Sequence, residues 1–352
     1  MIKTFAAVYR AKNKKIFIEE IKLSPPNKNE IIVENKYSGL CGSILTNLKR
    51  DPREPELLGH EGTGIVIQKG KGVKNINIGD KVLISWMPSG ASSKTKYLQY
   101  SNFYLDKKKY RSVIYTLSKH SKLNSQFVSK LPNDLNLMHS SIIGCAGISG
   151  YSAILNCEGL NKKKKICIFG AGGLGILATN AAKTIGVENL TVVDTNYEKL
   201  KFSKKFGAVN LLNPKSKNFE KKILTITKGE GFDFIFDFVG NKNIQETSLD
   251  YLKKCIPGYS RGGTLAIVGL NYETMNFSPR KLLLNEQSII GLRGGSVKMR
   301  RDLRRIYTDI RNKKLNIEKY VSKNFKLSNI NKAIVELKKG KILGRASVEI
   351  DV

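Results

Sequence analysis

Residues 164–178 read KKICIFGAGGLGILA, and few stretches restrict a chain's fold as tightly. An apolar run suited to a buried strand enters a turn built from Gly170, Ala171, Gly172, Gly173, Leu174 and Gly175, and a helical apolar pattern follows. In G-x-G-x-x-G the first glycine permits the tight turn and the second lets the backbone approach a pyrophosphate. The third lets the helix pack close to the strand. The unpaired N–H groups that open the helix would face the anion. The next apolar run, LTVVD, ends in Asp194, 24 residues after Gly170. A carboxylate there can bond both ribose hydroxyls of NAD and would repel the 2′-phosphate of NADP. Lys199, five residues on, is a candidate support for the adenosine ribose or one more solvated lysine.

Past residue 146 the pattern continues as strands (FDFIFDFVG, GTLAIVGL) separated by helical stretches, the rhythm of βαβ units on a doubly wound parallel sheet. The first 145 or so residues differ. Short alternating runs such as IIVENKY, GTGIVIQ and DKVLISW, broken by Pro, Gly and Asn, predict a compact β-rich unit. The last sixty residues add SIIGLRGGS, a basic helix around MRRDLRRIYTDIR, a helix at INKAIVELKKG and a closing strand, GRASVEI. The expected division is 1–147 with 291–352 as the β-rich catalytic domain and 148–290 as the Rossmann nucleotide-binding domain.

Composition limits what such a chain does. No apolar run reaches the roughly 18 to 20 residues a membrane span needs. The N-terminal stretch lacks a signal-peptide pattern, so a cytoplasmic protein is expected. Five cysteines, at 41, 145, 157, 167 and 255, show no C-x-x-C pairing, which argues against a disulfide framework. The net charge of +32 allows a nucleic-acid partner or an acidic substrate. Its lysines are scattered along the chain, however, which fits solvated faces better than a nucleic-acid interface. One cluster is tighter, KMRRDLRR, where Arg300 and Arg304, like Arg301 and Arg305, are spaced for one helix face.

His60 is one of only three histidines and lies in LGHEGTGI. Removing hydride from an alcohol also requires losing a proton, and zinc held by three protein donors with an open fourth position serves that need. Cys41 precedes His60 by 19 residues, and Cys145 lies near the end of the β-rich part. With these segments the sequence resembles the zinc-dependent alcohol dehydrogenases of the medium-chain dehydrogenase/reductase superfamily. SGLCGS, GHEGTGIV and GCAGISGYSA are similar to the family's three ligand segments, and INIGDKV and KGKILGRASVEI match it in order.

The resemblance implies a GroES-like catalytic domain beside the Rossmann domain. It implies one catalytic zinc on Cys41, His60 and Cys145, with Glu61 as the carboxylate behind the metal. Ser43 would take the alcohol proton, Trp86 would line the substrate pocket, and Ser149 and Val268 would lie near the nicotinamide. Arg345 would sit near the cofactor pyrophosphate. The implied reaction passes a hydride between a small-molecule alcohol and NAD, and the implied assembly is a homodimer through SIIGLRGGS. A specialised sugar, cyclitol or secondary-metabolite alcohol dehydrogenase is the alternative. A zinc-free reductase would lack the Cys, His, Cys set, and a nucleic-acid-binding protein would show no zinc-dependent turnover.

The chain also departs from the family. Many relatives hold a structural zinc with four cysteines after the GDKV segment, but no cysteine lies between Cys41 and Cys145, so no structural zinc is expected. Packing by Phe103 and neighbouring tyrosines is the expected substitute. Thr46 stands where well-known members carry a histidine that ends the proton relay, so the proton is expected to pass from Ser43 through the ribose to water. Cys157, Cys167 and Cys255 match no ligand position and read as small apolar residues.

Overall fold

A computed structural model describes residues 1–10, 15–50, 52–89 and 99–352. The chain divides into two compact units, Met1–Cys145 with Met299–Tyr307 and Asn316–Val352, and Ala146–Lys298 with Thr308–Leu315. The first return therefore comes at residue 299, not 291. The reason is local: Ser288–Gly291 pairs in register with Thr264–Ile267 and so belongs to the parallel sheet.

The first unit is organised by the strand Glu30–Leu40, which pairs with Gly62–Lys69, His120–Asn124 and Arg345–Glu349 in a seven-stranded sheet. Successive side chains of a strand face opposite ways. Accordingly Ile31 and Val33 join a core with Val66, Val82, Ile84 and Leu123, whereas Ile32 joins Ala6, Val8, Ile21 and Leu23. A second sheet of five strands carries Ile2–Arg10, Lys15–Leu23 and the hairpin Ser101–Leu105 with Lys108–Ser112.

That hairpin lies in the cysteine-free stretch between Cys41 and Cys145. Its two-residue loop, Asp106 and Lys107, has φ of 50° and 62°, the left-handed pair that matches strand twist in a tight hairpin. Phe103 is buried and stacks on Tyr110 at 5.6 Å between ring centroids, with Tyr115 at 6.4 Å. Below it Glu30 accepts from Ser101 Oγ at 2.8 Å and lies 3.8 Å from the Lys122 ammonium, which is fully buried and donates to Ser24 Oγ at 2.7 Å. Rings and a buried ion pair thus hold this stretch of the lobe; its residues 90–98 lie outside the described residues.

The second unit is a six-stranded, all-parallel sheet. The order in space is Asn210–Leu212, Asn189–Val193, Lys165–Phe169, Phe234–Asp237, Thr264–Ile267 and Ser288–Gly291. This is the 3-2-1-4-5-6 sequence of a dinucleotide-binding fold. Helices Gly173–Thr184, Tyr197–Lys204, Phe219–Thr227 and Lys242–Tyr251 fall between the strands as the βαβ rhythm predicts. Cys157 and Cys167 are buried here; burial pushes the Cys157 thiol up to about 12 and raises the Cys167 thiol as well, so both act as small apolar residues. Cys255 is half-buried and donates to Leu284 O. Among the described residues, no helix is long and apolar enough to cross a membrane.

Candidate active site

Strand register assembles the first site. Gly62 pairs with Ser38, which carries His60 and Glu61 to the end of the Glu30–Leu40 strand where Cys41 begins. Ala346 pairs with Leu40, which brings Arg345 to the same place. Gly62 also pairs with Ile84, and Ser85 Oγ beyond it donates to Gly144 O at 2.7 Å, fixing the turn that presents Cys145. Cys145 sits in a wide π-helical stretch, Ile143–Tyr151, a helix type often found at functional sites. Gly59 has φ of +91°, and a Cβ there would lie 2.5 Å from Thr116 Oγ1, so the bend before His60 requires glycine.

The result is a cluster of Cys41, His60, Glu61 and Cys145 whose donor atoms all lie within 4.8 Å of one another. The Cys41 and Cys145 sulfurs are 3.9 Å apart. Tetrahedral zinc with Zn–S bonds of about 2.3 Å puts two thiolates ~3.8 Å apart, so the donor set fits that ion in kind and spacing. The hydrogen bond with Cys145 and the nearby charges of Arg345 and His60 hold the Cys41 thiol well below its ordinary pKa against burial. That same hydrogen bond, with burial and the negative Cys41 beside it, pushes the Cys145 thiol well above its own. Burial disfavours charge on His60, but the charge and hydrogen bond of Cys41 and the Glu61 carboxylate together outweigh it and raise the imidazole pKa. Two sulfurs, with the Cys41 thiol shifted toward its thiolate, and a half-buried imidazole form a site that a dication would neutralise.

Glu61 is fully buried behind the donors, with Oε2 accepting from Cys145 N at 3.1 Å and Oε1 3.3 Å from Arg345 Nη2. Arg345 also donates to Leu40 O at 2.9 Å and to Cys41 Sγ at 3.6 Å. Expected beside a pyrophosphate, its guanidinium is 4% exposed and engaged by the cluster. Sequence reasoning missed this role; the signal was that Arg345 opens a strand which must pair somewhere in the β-rich unit. Ser43 begins the short helix Ser43–Asn47, and its buried Oγ has no hydrogen-bond partner. Trp86 is half-buried and follows Ser85 directly.

The second site gathers at the carboxyl ends of the parallel strands, where open α/β sheets bind ligands. Gly170 has φ of +97°, and a Cβ on Gly175 would lie 1.7 Å from Gly170 O, so neither tolerates a side chain. A Cβ on Gly172 would meet nothing within 4 Å, which leaves open space above the turn. Gly173 and Leu174 begin the helix Gly173–Thr184. Asp194 accepts from Ala171 N and from Asn196 N, each at 2.8 Å, which fixes its carboxylate beside the glycine turn. Lys199 is half-buried in the helix that follows. Val268 directly follows the strand Thr264–Ile267 at the same edge, with its N–H on Asp237 O at 3.0 Å, and Ser149 is buried in the π-helical stretch. Asp237 was not anticipated. It is buried, with its pKa raised by burial, and accepts from Val239 N, Gly240 N and Gln245 Nε2. It thereby shapes the loop whose Val239 lies against Gly170. An acid ending the apolar run FDFIFD was the available clue.

A nucleotide-binding parallel sheet and a Cys, His, Cys cluster in a β-rich unit define a metal-dependent dehydrogenase. Residues 27–132 match the alcohol dehydrogenase GroES-like domain, and residues 173–309 match the zinc-binding dehydrogenase domain. Alcohol dehydrogenase 6 of Peromyscus maniculatus is 28% identical, with 97% of each chain covered. The S-(hydroxymethyl)glutathione dehydrogenase of Komagataella pastoris is 27% identical, with 97% of this chain and 96% of that one covered. The crystal structure of benzyl alcohol dehydrogenase from Acinetobacter calcoaceticus superposes with a TM-score of 0.88 over 99% of this chain and 100% of that one, at 23% identity. The chain belongs to the zinc-dependent alcohol dehydrogenases of the medium-chain dehydrogenase/reductase superfamily, oxidoreductases that act on alcohols with zinc and NAD.

Proposed function

We propose that this enzyme oxidises an alcohol to an aldehyde or ketone at Cys41, His60 and Cys145, which hold the catalytic zinc, with Asp194 selecting NAD. The observation that carries this reading is the convergence of these donors with Glu61 within 4.8 Å, from positions up to 104 residues apart in sequence. Zinc there supplies the Lewis acidity for deprotonating an alcohol near neutral pH, and NAD supplies the hydride acceptor. The protein's own groups do the rest. Ser43 Oγ, buried without a partner, takes the alcohol proton and passes it toward the cofactor ribose and water. Glu61, held by Cys145 N and Arg345, steadies the negative donors from behind. Gly170, Gly172 and Gly175 admit the pyrophosphate to the helix N-terminus, and the fixed Asp194 carboxylate meets the ribose hydroxyls.

The enzyme is also inferred to be a homodimer. Ser288–Gly291 is the outermost strand of its sheet, and beside it in sequence Leu283 and Leu284 are 75% and 58% exposed. Native mass spectrometry tests both readings on one sample, paired with an NAD-reduction screen over primary alcohols, sugar alcohols and S-hydroxymethylglutathione. Two chains with one zinc each, and alcohol-dependent NAD reduction, are expected. Zinc-free protein would sink the ligand assignment, two zincs per chain would overturn the expectation that the cysteine-free lobe holds no structural zinc, and a monomer would overturn the edge-strand interface.

A further inference from the structure

The basic helix picked out in the sequence takes no part in either site. It forms as Met299–Arg311, and Arg300 and Arg304, one turn apart, line a cavity of about 590 Å³ together with Lys81, Lys130 and Asp80. Four cations from the helix and two strands therefore face a single carboxylate. Lys130 is held by Asp80 at 2.8 Å, and Lys81 Nζ donates to Asn133 O at 3.2 Å. Arg300 has no ion-pair partner among the described residues. A second hollow, of about 770 Å³, shares Lys130 and Arg300 and adds Lys74, so the positive lining continues past the first.

The interior of the first cavity is of another kind. Leu131, Pro132, Leu303 and Tyr307 give it apolar walls. Tyr307 is 8% exposed, and its hydroxyl is buried with no hydrogen-bond partner. Buried hydroxyls are nearly always paired, so an unpaired one on a side chain that lines a ligand-sized cavity is a second sign of a missing partner. Cations and apolar walls in one lining match a molecule that carries phosphate at one end and a ring or carbon frame at the other. A polynucleotide fits worse, because Asp80 stands among the cations and the walls beside them are apolar.

We propose that this cavity binds a small organic phosphate, with the phosphate on Arg300 and Arg304, the carbon body on Leu131, Pro132 and Leu303, and the Tyr307 hydroxyl donating to a ligand oxygen. The guanidinium pair suits a phosphate because its N–H groups reach two oxygens at once. The test uses the full-length zinc-loaded enzyme saturated with NADH, so that the coenzyme site is filled, and titrates phenyl phosphate by calorimetry. Saturable binding of one molecule per chain is expected. R300E/R304E should weaken it by at least about thirty-fold and Tyr307→Phe by about five-fold. Inorganic phosphate, lacking the body, should bind about ten-fold more weakly. Alcohol turnover by R300E/R304E should stay within about two-fold of the parent enzyme, since neither arginine belongs to the reaction site. No saturable binding, an affinity unchanged by R300E/R304E, or equal affinity for inorganic phosphate would each overturn the proposal. So would binding confined to long polynucleotides with a steep salt dependence.

Discussion

The metal cluster and the hairpin lobe belong to the same unit and are stabilised by opposite means. At the cluster, two sulfurs 3.9 Å apart, an imidazole and a buried carboxylate crowd together, an arrangement that only a cation balances. At the lobe, Phe103 between Tyr110 and Tyr115, with Glu30 and Lys122 beneath, completes its own contacts. A reaction centre can be built from few donor types, because zinc accepts few. A structural lobe has no such restriction, and aromatic packing can stand where a metal would otherwise do the holding.

The comparison breaks most visibly if the metal is removed. Cys145→Ala should abolish zinc binding and lower kcat/KM for the alcohol by a factor on the order of 10³ or more, since the Lewis acid contributes several kcal/mol. Hydrogen exchange over residues 101–112 should stay as in the parent enzyme, and faster exchange there would show that the lobe depends on the metal after all. The reverse substitution is Phe103→Ala, which should lower unfolding stability by about 3–5 kcal/mol in a urea titration while zinc content stays at one per chain. A loss of zinc in parallel would merge the two regions into one.

The smallest effect comes from His120, whose Nδ1 shares a hydrogen bond with Thr4 Oγ1. Burial lowers its pKa below the ordinary 6.5, with Glu34 opposing and Lys119 and Lys36 assisting. The unfolded chain then takes the proton at the higher pH. Stability from the neutral ring is complete above about 6.5 and is lost as pH falls through the folded value. His120→Asn should flatten the fall in melting temperature between pH 7 and 5. An unchanged slope would assign acid sensitivity elsewhere, to the cluster first.

Much of the site was legible one residue at a time. Gly170 and Gly175 announced themselves because only glycine serves a turn with φ of +97° and a 1.7 Å approach, while Gly172 was legible from the motif's spacing and not from crowding. Cys41, His60 and Cys145 could be named because metal chemistry limits the choice of donor, although their meeting had to be inferred through resemblance. What Arg345 touches within the chain was not legible: arginine suits a pyrophosphate and a carboxylate equally well, and the pairing of Ala346 with Leu40 is what brings it to Glu61. Asp237 escaped notice because an acid closing a strand is ordinary until the loop it folds is seen against Gly170.

By itself the sequence determined the parallel nucleotide fold, since few residue types can replace the glycines of its turn, and its resemblance to the family pointed to the donor set. The tertiary structure alone decided that a buried Glu30–Lys122 pair lies with the lobe's rings, what Arg345 touches and where the arginines of the basic helix face. Those outcomes depend on strand register and packing among residues far apart in the chain, where many side chains are chemically acceptable and only geometry selects between them.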